Sequence, residues 1–198
     1  MSAERNPDHP RVRALSGGRR ASAVFAGIRL VVSRADDPPF SVDAAVFEED
    51  TWLALSTPAT ILSSPEHPVR VMTQAWNAHP RKPGTVVVRA GCPTRLLAVV
   101  HDLDRDPSWT STWVERALRE AVRITIARGH DSLRLPLLGT KHGRLPPLEF
   151  VRMLRQTIVA NALPPPRPPR LRRIWIARGE EDGIALLREL TGSGEVDS

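Results

Sequence analysis

A short basic turn at residues 139–144 is the part of the sequence best suited to chemistry. It lies between an apolar run that ends at Leu138 and Pro146-Pro147, where a helix is predicted to begin. A turn that leaves a strand and enters a helix exposes backbone N–H groups at the positive end of the helix. Glycine lets an anion approach the backbone closely. We therefore predict an anion-binding turn formed by Gly139, Thr140, Lys141, His142, Gly143 and Arg144.

The alternative is an ordinary turn whose basic side chains are simply solvated. Two common phosphate-binding motifs do not fit the turn. No lysine follows the last glycine at the spacing of a Walker loop, and the glycines are too late and too sparse for the dinucleotide fingerprint. The two glycines by themselves favour the ordinary turn, so the choice depends on the rest of the chain.

Strand-like and helix-like segments alternate on both sides of this turn. The spacing of apolar residues predicts strands at 24–33, 42–47, 85–89, 96–101, 132–138 and 171–177. Helices are predicted at 113–128, at 147–161 and from about 183 to 190, with weaker candidates at 51–62 and 67–77. This alternation predicts an α/β domain with a central, mixed, mostly parallel sheet. In such a sheet, ligands bind beyond the carboxyl ends of the strands.

The longest predicted helix, 113–128, has the clearest signals. Thr112 and Glu115 form a capping-box pattern at its start, and Gly129 ends it. The residues predicted to face inward on it are Val114, Leu118, Ala121, Val122 and Thr125, and those on the helix at 147–161 are Leu148, Val151, Leu154 and Ile158.

The length and composition of the chain limit its domain organisation and the kinds of partner it can bind. The chain has 198 residues, which suits one domain, and we expect a disordered basic leader at 1–21, a folded domain at 22–192 and a flexible tail at 193–198. A stiff proline-rich crossover is expected at 164–170. The net charge of +6 is carried almost entirely by arginine, since Lys82 and Lys141 are the only lysines. A weak attraction to polyanions follows from this charge, but not a dedicated site.

Several other kinds of site are disfavoured. Cys92 is the only cysteine, so no internal disulfide can form, and no neighbouring motif activates it as a nucleophile. His101-Asp102 is too small a constellation for a metal, and none is predicted. No apolar run is long enough for a bilayer and no signal peptide precedes the domain, so we expect a cytoplasmic protein without a membrane partner.

Four segments carry a family resemblance: VDAAV at 42–46, the strands at 83–88 and 96–101, the helix and turn at 113–133, and PLLGT at 136–140. Together and in this order they resemble the macro domain, an ADP-ribose-binding family with a three-layer α/β/α fold. Residues 42–46 (VDAAV) resemble the second-strand pattern VDAIV, and 83–88 with 96–101 resemble the strand pair that ends in histidine. The helix at 113–128, followed by 129–133, resembles the approach to the diphosphate loop. Residues 136–140 (PLLGT) resemble that loop itself, P-x-L-G-T-G. The resemblance implies a macro-like module at 22–192 that binds ADP-ribose or a related nucleotide diphosphate and requires no cofactor.

The resemblance also implies positions for the ligand. Asp36 lies seven residues before Asp43, where the family places the aspartate that reads adenine, and Asp37 is its direct competitor. Leu138 and the turn at 139–144 would hold the diphosphate. The implied partners are a small-molecule nucleotide or an ADP-ribosylated macromolecule.

Two departures from the family pattern concern catalysis. The family's Asn-Ala-Ala-Asn after the second strand is replaced by residues 47–50 (FEED), and the glycine-rich first phosphate loop is missing. The asparagines orient the distal ribose in hydrolytic members, so we expect binding without hydrolysis, with Asp50 as a weak catalytic candidate. The alternatives are a degenerate domain that serves protein interaction or regulation, and an ADP-ribosyl hydrolase.

Overall fold

The computed structural model describes residues 13–15, 20–55, 79–161 and 170–192. Strands in these residues are β1 Arg13–Leu15, β2 Arg20–Phe25, β3 Ile28–Arg34, β4 Ala44–Asp50, β5 Val86–Arg89, β6 Thr94–His101, β7 Ser132–Pro136 and β8 Arg173–Arg178. Helices are α1 Ser111–Ala127, α2 Pro147–Asn161 and α3 Gly183–Thr191.

The strands form one mixed sheet in the order β1-β2-β3-β8-β7-β4-β6-β5. The five central strands, from β3 to β6, run parallel, whereas β1, β2 and β5 pair antiparallel at the two sides. The predicted α/β class with a mixed, mostly parallel sheet is confirmed. Because the central strands share one direction, their carboxyl ends meet at a single edge of the sheet.

The described helices cover one face of the sheet and bury a continuous core. Alternate strand residues such as Leu30, Val46, Leu96 and Ile174 point into this core and are fully buried. The inward residues predicted on α1 are all buried, but on α2 Leu148 is 41 % exposed and Phe150 takes its place. The other predicted inward residues, Val151, Leu154 and Ile158, are buried. The prediction for Leu148 was wrong because, at about 100° per residue, it lies about 120° round the helix from Leu154, outside the buried stripe.

Helix α1 begins two residues earlier than predicted. Its N-cap is Thr110, whose hydroxyl accepts a hydrogen bond from the Trp113 amide at 3.3 Å. The capping box of Thr112 and Glu115 was therefore wrong, and Glu115 instead pairs with Arg119 one turn along the helix. Gly129 follows the helix with φ +73°, as a C-terminal glycine should.

The first predicted strand, 24–33, is a hairpin. The chain reverses at Ala26-Gly27, where both residues have positive φ, and β2 pairs with β3 in register. The strands β1 and β2 also place residues 13–15, 20 and 21 in the sheet, inside the segment predicted as a disordered leader. For those residues the prediction was wrong, because the missed hairpin gives them a strand to pair with.

Several predicted segments fall on parts of the chain that the structure does not describe. The weak helix candidates at 51–62 and 67–77 lie outside the described residues, apart from the turn at 51–55. The proline-rich crossover up to residue 169 and the tail at 193–198 lie outside them as well. Among the described helices, none has the length and apolar character needed to cross a membrane.

A carboxylate ties β4 to β7 at the amino edge of the sheet. Asp43 Oδ2 accepts hydrogen bonds from the amides of Asp131 and Ser132 at 3.0 Å each and from the Ser132 hydroxyl at 2.8 Å. Burial alone would raise the pKa of Asp43, but the hydrogen bonds from Ser132 and Asp131 outweigh it and lower that pKa below its usual value. This network fixes where β7 starts, and so where it ends.

Candidate functional site

A cavity of about 590 Å³ lies at the carboxyl edge of the sheet, against residues of β4 and β7 and the ends of β3 and β8. Its walls come from four separate stretches of chain: Ala35 after β3, 46–48 on β4, 134–142 from β7 into its loop, and 177–181 from the end of β8 into its loop. This is where ligands bind in parallel α/β sheets.

The predicted turn forms one wall of the cavity through Leu137, Thr140, Lys141 and His142. Gly139 has φ +75°, and a Cβ there would come within 2.9 Å of Val114 Cγ2 on α1. A Cβ at Gly143 would lie 2.3 Å from the Gly139 carbonyl oxygen. Both glycines are therefore required by close packing of the turn, whatever the turn binds.

Hydrogen bonds within the protein set the shape of this turn. The Leu145 amide donates to the Gly139 carbonyl at 3.1 Å, and the Thr140 hydroxyl donates to the Leu137 carbonyl at 2.7 Å. The Thr140 amide also donates to the Leu137 carbonyl at 3.3 Å. Among the described residues, none accepts from the amides of Lys141, His142 or Gly143. The turn is thus pre-shaped and still offers three N–H donors.

A carboxylate from β4 reaches across to the start of the turn. Glu48 Oε2 accepts a hydrogen bond from the Gly139 amide at 3.2 Å, while Oε1 contacts Nε2 of the buried His101. The edge of one imidazole meets the face of the other between His101 and His142, whose ring centroids are 6.0 Å apart. One donor of the turn is therefore already satisfied by the protein, and its partner is an anion.

Positive side chains outnumber negative ones in the cavity wall. Arg134, Lys141 and Arg178 line it, with His142, against Glu48 and Glu181. Arg178 Nη1 donates to backbone carbonyls, including that of Gly179 at 3.2 Å, and Glu181 accepts from the Gly179 amide at 2.7 Å. The net positive wall favours an anionic ligand.

Arg134 is the least expected of these cations. Its guanidinium lies 5.8 Å from the centroid of the Phe47 ring and 5.2 Å from that of Trp175. Burial lowers its pKa from the ordinary arginine value, and no acidic neighbour offsets that effect. An arginine held by two aromatic rings keeps its N–H edge free for other partners.

The structure brings together only part of the predicted site. Thr140, Lys141 and His142 line the cavity, whereas Leu138 and Gly139 are buried behind them and Arg144 is exposed outside it. Asp36 follows Ala35, which lines the cavity, but its own side chain is 77 % exposed and pairs with Arg34 at 3.4 Å. Its competitor Asp37 is held by Arg20.

Asp50, the weak catalytic candidate, lies outside the cavity wall. It is 1 % exposed, and its Oδ1 accepts from the amides of Trp52 and Ala54 at 2.6 and 3.2 Å. It thus shapes the turn after β4. Within the described part of the chain, no three potential metal ligands lie close enough to share an ion.

Sequence reasoning missed Phe47, Arg134 and Arg178 as cavity residues. They lie on three different strands, and only the register of the sheet makes them neighbours. One signal was available in the sequence. Arg134 is the only charged residue in the otherwise apolar run 133–138, at the centre of a predicted strand, where a charged residue is unusual.

Comparisons with solved structures identify the architecture. The chain superposes on the Oceanobacillus iheyensis macrodomain with ADP at a TM-score of 0.61 and 12 % identity, over 88 % of this chain and 95 % of that one. It superposes on the Trypanosoma brucei macrodomain in complex with ADP at 0.55 and 16 % identity, over 82 % and 69 %. For the macro domain of ganglioside induced differentiation associated protein 2, the values are 0.55 and 12 %, over 82 % and 83 %.

The comparisons by sequence, unlike those by structure, found no related protein. No protein-family model matches the chain, and no curated protein matches it significantly. The chain nevertheless superposes on macro domains over most of its length, which confirms the predicted α/β/α fold. The chain has a divergent macro-domain fold.

Proposed function

We propose that this chain is a binding module for a nucleoside diphosphate, with ADP-ribose as the leading candidate ligand. The observation that carries the proposal is the turn at 139–143. It lines a cavity at the carboxyl edge of the sheet and keeps the amides of Lys141, His142 and Gly143 without acceptors among the described residues. Preformed N–H groups beside a lysine suit a diphosphate.

The structural neighbours support the class of ligand. Two of the three macro domains compared above contain ADP. A diphosphate with an adenosine fits the chemistry of this cavity, because its wall combines apolar surface with three permanent cations. Asp36 remains our predicted adenine reader, since Ala35 beside it lines the cavity. An ADP-ribosylated macromolecule would present the same group on a larger partner.

Binding without hydrolysis is part of the proposal. The hydrolytic candidate Asp50 is buried, lies outside the cavity wall and accepts hydrogen bonds from the backbone of the following turn. Phe47 occupies the position where the family pattern has an asparagine, and its ring stacks with Arg95 and Arg134 rather than offering a hydrogen bond. No cofactor is required for this role.

One observation favours a second candidate, a macro fold that acts in protein interaction or regulation. The Glu48 carboxylate already accepts the hydrogen bond of the Gly139 amide, so an anion of the protein itself occupies that donor. A diphosphate would then have to bind to the amides at 141–143 alone, beside a negative charge. Titration distinguishes the two candidates.

The test is calorimetric titration of the wild-type chain with ADP and ADP-ribose. We expect saturable binding, and at least tenfold weaker binding in Lys141→Glu, because the exposed lysine is replaced by a charge that repels the diphosphate. Arg128→Glu is the control. It makes the same charge change at an exposed position where α1 leads into β7, at the amino edge of the sheet.

The outcomes separate the candidates. Equal weakening by both variants would mean that only the net charge matters and that the turn is not the site. No heat with either nucleotide, in a wild-type chain whose unfolding is cooperative, would favour the interaction or regulatory role. Release of ADP-ribose from a modified substrate would instead establish hydrolysis.

A further inference from the structure

The outermost strand of the sheet, β5, has backbone groups that face away from its neighbour. It comes after β6 at the end of the strand order, and in the described part of the chain it pairs with that strand alone. The Val99 amide donates to the Thr85 carbonyl at 3.0 Å, so this pair is hydrogen-bonded. Because hydrogen-bonded and non-hydrogen-bonded pairs alternate in an antiparallel ladder, the N–H and C=O groups of Val86 and Val88 point outward. They are suited to pairing with one more strand.

Three exposed arginines of α1 lie beside the start of β5, each about one helical turn from the next: Arg116, Arg119 and Arg123. We call them the arginine stripe. The stripe and residues 84–86 line a cavity of about 380 Å³, in which Glu120 is the one acidic residue among those described. Gly84 lets the helix come close to the strand, because a Cβ there would lie 3.1 Å from Arg116 Cβ. The outer side of β5 is therefore bordered by positive charge.

The carboxylates of α1 only partly balance this charge. Arg119 contacts Glu115, and Arg123 Nε donates to Glu120 at 2.8 Å. Arg116 forms no ion pair with any residue that the structure describes. Exposed ion pairs within one helix are weak, so an incoming carboxylate can compete for these arginines. The stripe remains positive even when both glutamates are counted.

The charge and the backbone groups together select the kind of partner. Side chains of an added strand would alternate between the two faces of the sheet, so every second one would meet the stripe, on the face of Val86. A second copy of this chain is disfavoured, because antiparallel pairing of β5 with β5 would bring two stripes together. Nucleic acid offers phosphates to the stripe but no regular row of N–H donors for the outward carbonyls.

We propose that β5 accepts an extended acidic segment of a partner protein as a further strand of the sheet. The main chain of the segment pairs with Val86 and Val88, and Asp or Glu residues at alternate positions contact the arginine stripe. Apolar residues between them lie on the face of Val87. Because no residue of β5, β6 or the stripe lines the cavity at the carboxyl edge, this surface is independent of the proposed nucleotide function.

Labelled peptides test the proposal by fluorescence anisotropy. A peptide of four Glu-Val repeats, blocked at both ends, should bind saturably, and four Lys-Val repeats at least tenfold more weakly. Methylating the glutamate amides blocks antiparallel pairing and methylating the valine amides blocks parallel pairing, so one of the two changes should also weaken binding at least tenfold. Undiminished binding of both methylated peptides, or displacement of the peptide by oligothymidylate that binds more tightly, would overturn the inference.

Variants assign the binding to this surface. Arg116→Glu should weaken binding of the Glu-Val peptide at least tenfold, because an unpaired cation becomes a repelling anion. The control is Arg29→Glu, the same charge change at an exposed position of β3, four strands away from β5, and it should lose less than threefold. Val88→Pro removes an outward N–H and should weaken binding as Arg116→Glu does. Equal weakening by Arg116→Glu and Arg29→Glu would mean that only the net charge matters and would overturn the inference.

Amide hydrogen exchange tests the pairing in the wild-type chain, with no substitution. In the free protein the amides of Val86 and Val88 should exchange fast and that of Val87 slowly, since only the Val87 amide faces β6. Saturating Glu-Val peptide should slow Val86 and Val88 at least tenfold. Slow exchange of both in the free protein would show that the outer side already has a partner. Fast exchange that the peptide leaves unchanged would show that it binds elsewhere, and either result would overturn the inference.

Discussion

The two edges of the sheet differ in whether their polar groups find hydrogen-bond partners within the protein. At the amino edge, Asp43 is saturated: three donors from Asp131 and Ser132 converge on one carboxylate oxygen. At the carboxyl edge, the amides of Lys141, His142 and Gly143 have no acceptor among the described residues. A charge whose partners the chain itself supplies holds the fold together. Donors left without partners at a concave edge are the basis for the anionic ligand that we propose.

Glu48 stands between these two cases. It lies at the carboxyl edge and lines the cavity, yet its carboxylate is engaged by Gly139 and His101. It satisfies one donor of the turn as Asp43 does at the other edge, and it also places a negative charge beside the proposed diphosphate. Substitutions at Gly143, Asp43 and Glu48 can therefore test how far the contrast between the edges holds.

The largest expected effect is on the turn itself. Gly143→Ala should lower the free energy of unfolding by about 3 kcal/mol, because its Cβ would overlap the Gly139 carbonyl oxygen and the Trp109 ring. Urea unfolding measures the change. Gly129→Ala is the control: a Cβ there has no neighbour within 4 Å, and only its φ of +73° is unfavourable. Equal losses in both variants would show that packing does not dictate the turn.

Asp43→Ala tests the saturated edge. We expect a loss of about 2 kcal/mol, since the amides of Asp131 and Ser132 lose a charged acceptor at a partly solvated site. The pKa of Asp43 is lowered in the fold, so its stabilising effect is complete above the unfolded value of about 3.9 and is lost as pH falls through the folded value.

The pH dependence gives this prediction its sharper form. The stability difference between wild type and Asp43→Ala should stay constant from pH 5 to 7 and shrink below about pH 4. Urea unfolding at several pH values measures it. A difference that grows as the pH falls would contradict the assignment of Asp43 as a carboxylate stabilised by these donors.

The smallest expected effect is that of Glu48→Gln, and it concerns the affinity for ADP rather than the stability of the fold. Glutamine keeps an oxygen for the Gly139 amide but removes the negative charge, so ADP should bind about fivefold more tightly, roughly 1 kcal/mol. Calorimetric titration measures the change, and unfolding should be nearly unaltered. Weaker binding in this variant would mean that Glu48 takes part in holding the ligand.

Elements of the fold with strong local signals were predictable from sequence. The inward face of α1, its terminal Gly129 and the start of α2 at Pro147 follow from helical periodicity and cap chemistry. The hairpin at Ala26-Gly27 was missed because both flanking strands are apolar and alanine rarely adopts a positive φ. A short turn of that kind gives no break in hydrophobicity.

Of the candidate site, the turn could be predicted from the sequence, but the residues on the strands could not. The turn at 139–143 is contiguous in sequence, so its glycines and cations could be read together. Arg134, Phe47 and Arg178 are far apart along the chain and become neighbours only when β4, β7 and β8 pair in register. Parallel strands are joined by long crossovers, so no hairpin turn fixes their register, and the pairing of these strands could not be predicted from the local sequence.

The packing of Trp109 against Gly143 has an optical consequence. A backbone bridge joins Trp109 to His101 at the end of β6, and a Cβ at Gly143 would lie 2.8 Å from the indole Cδ2. Indole emission responds to the polarity and charge around the ring, so any anion that settles beside the turn should alter the fluorescence of this tryptophan. Subtracting the spectrum of Trp109→Phe isolates it from the other four tryptophans. The chain thus carries its own spectroscopic probe of occupancy, with no label needed.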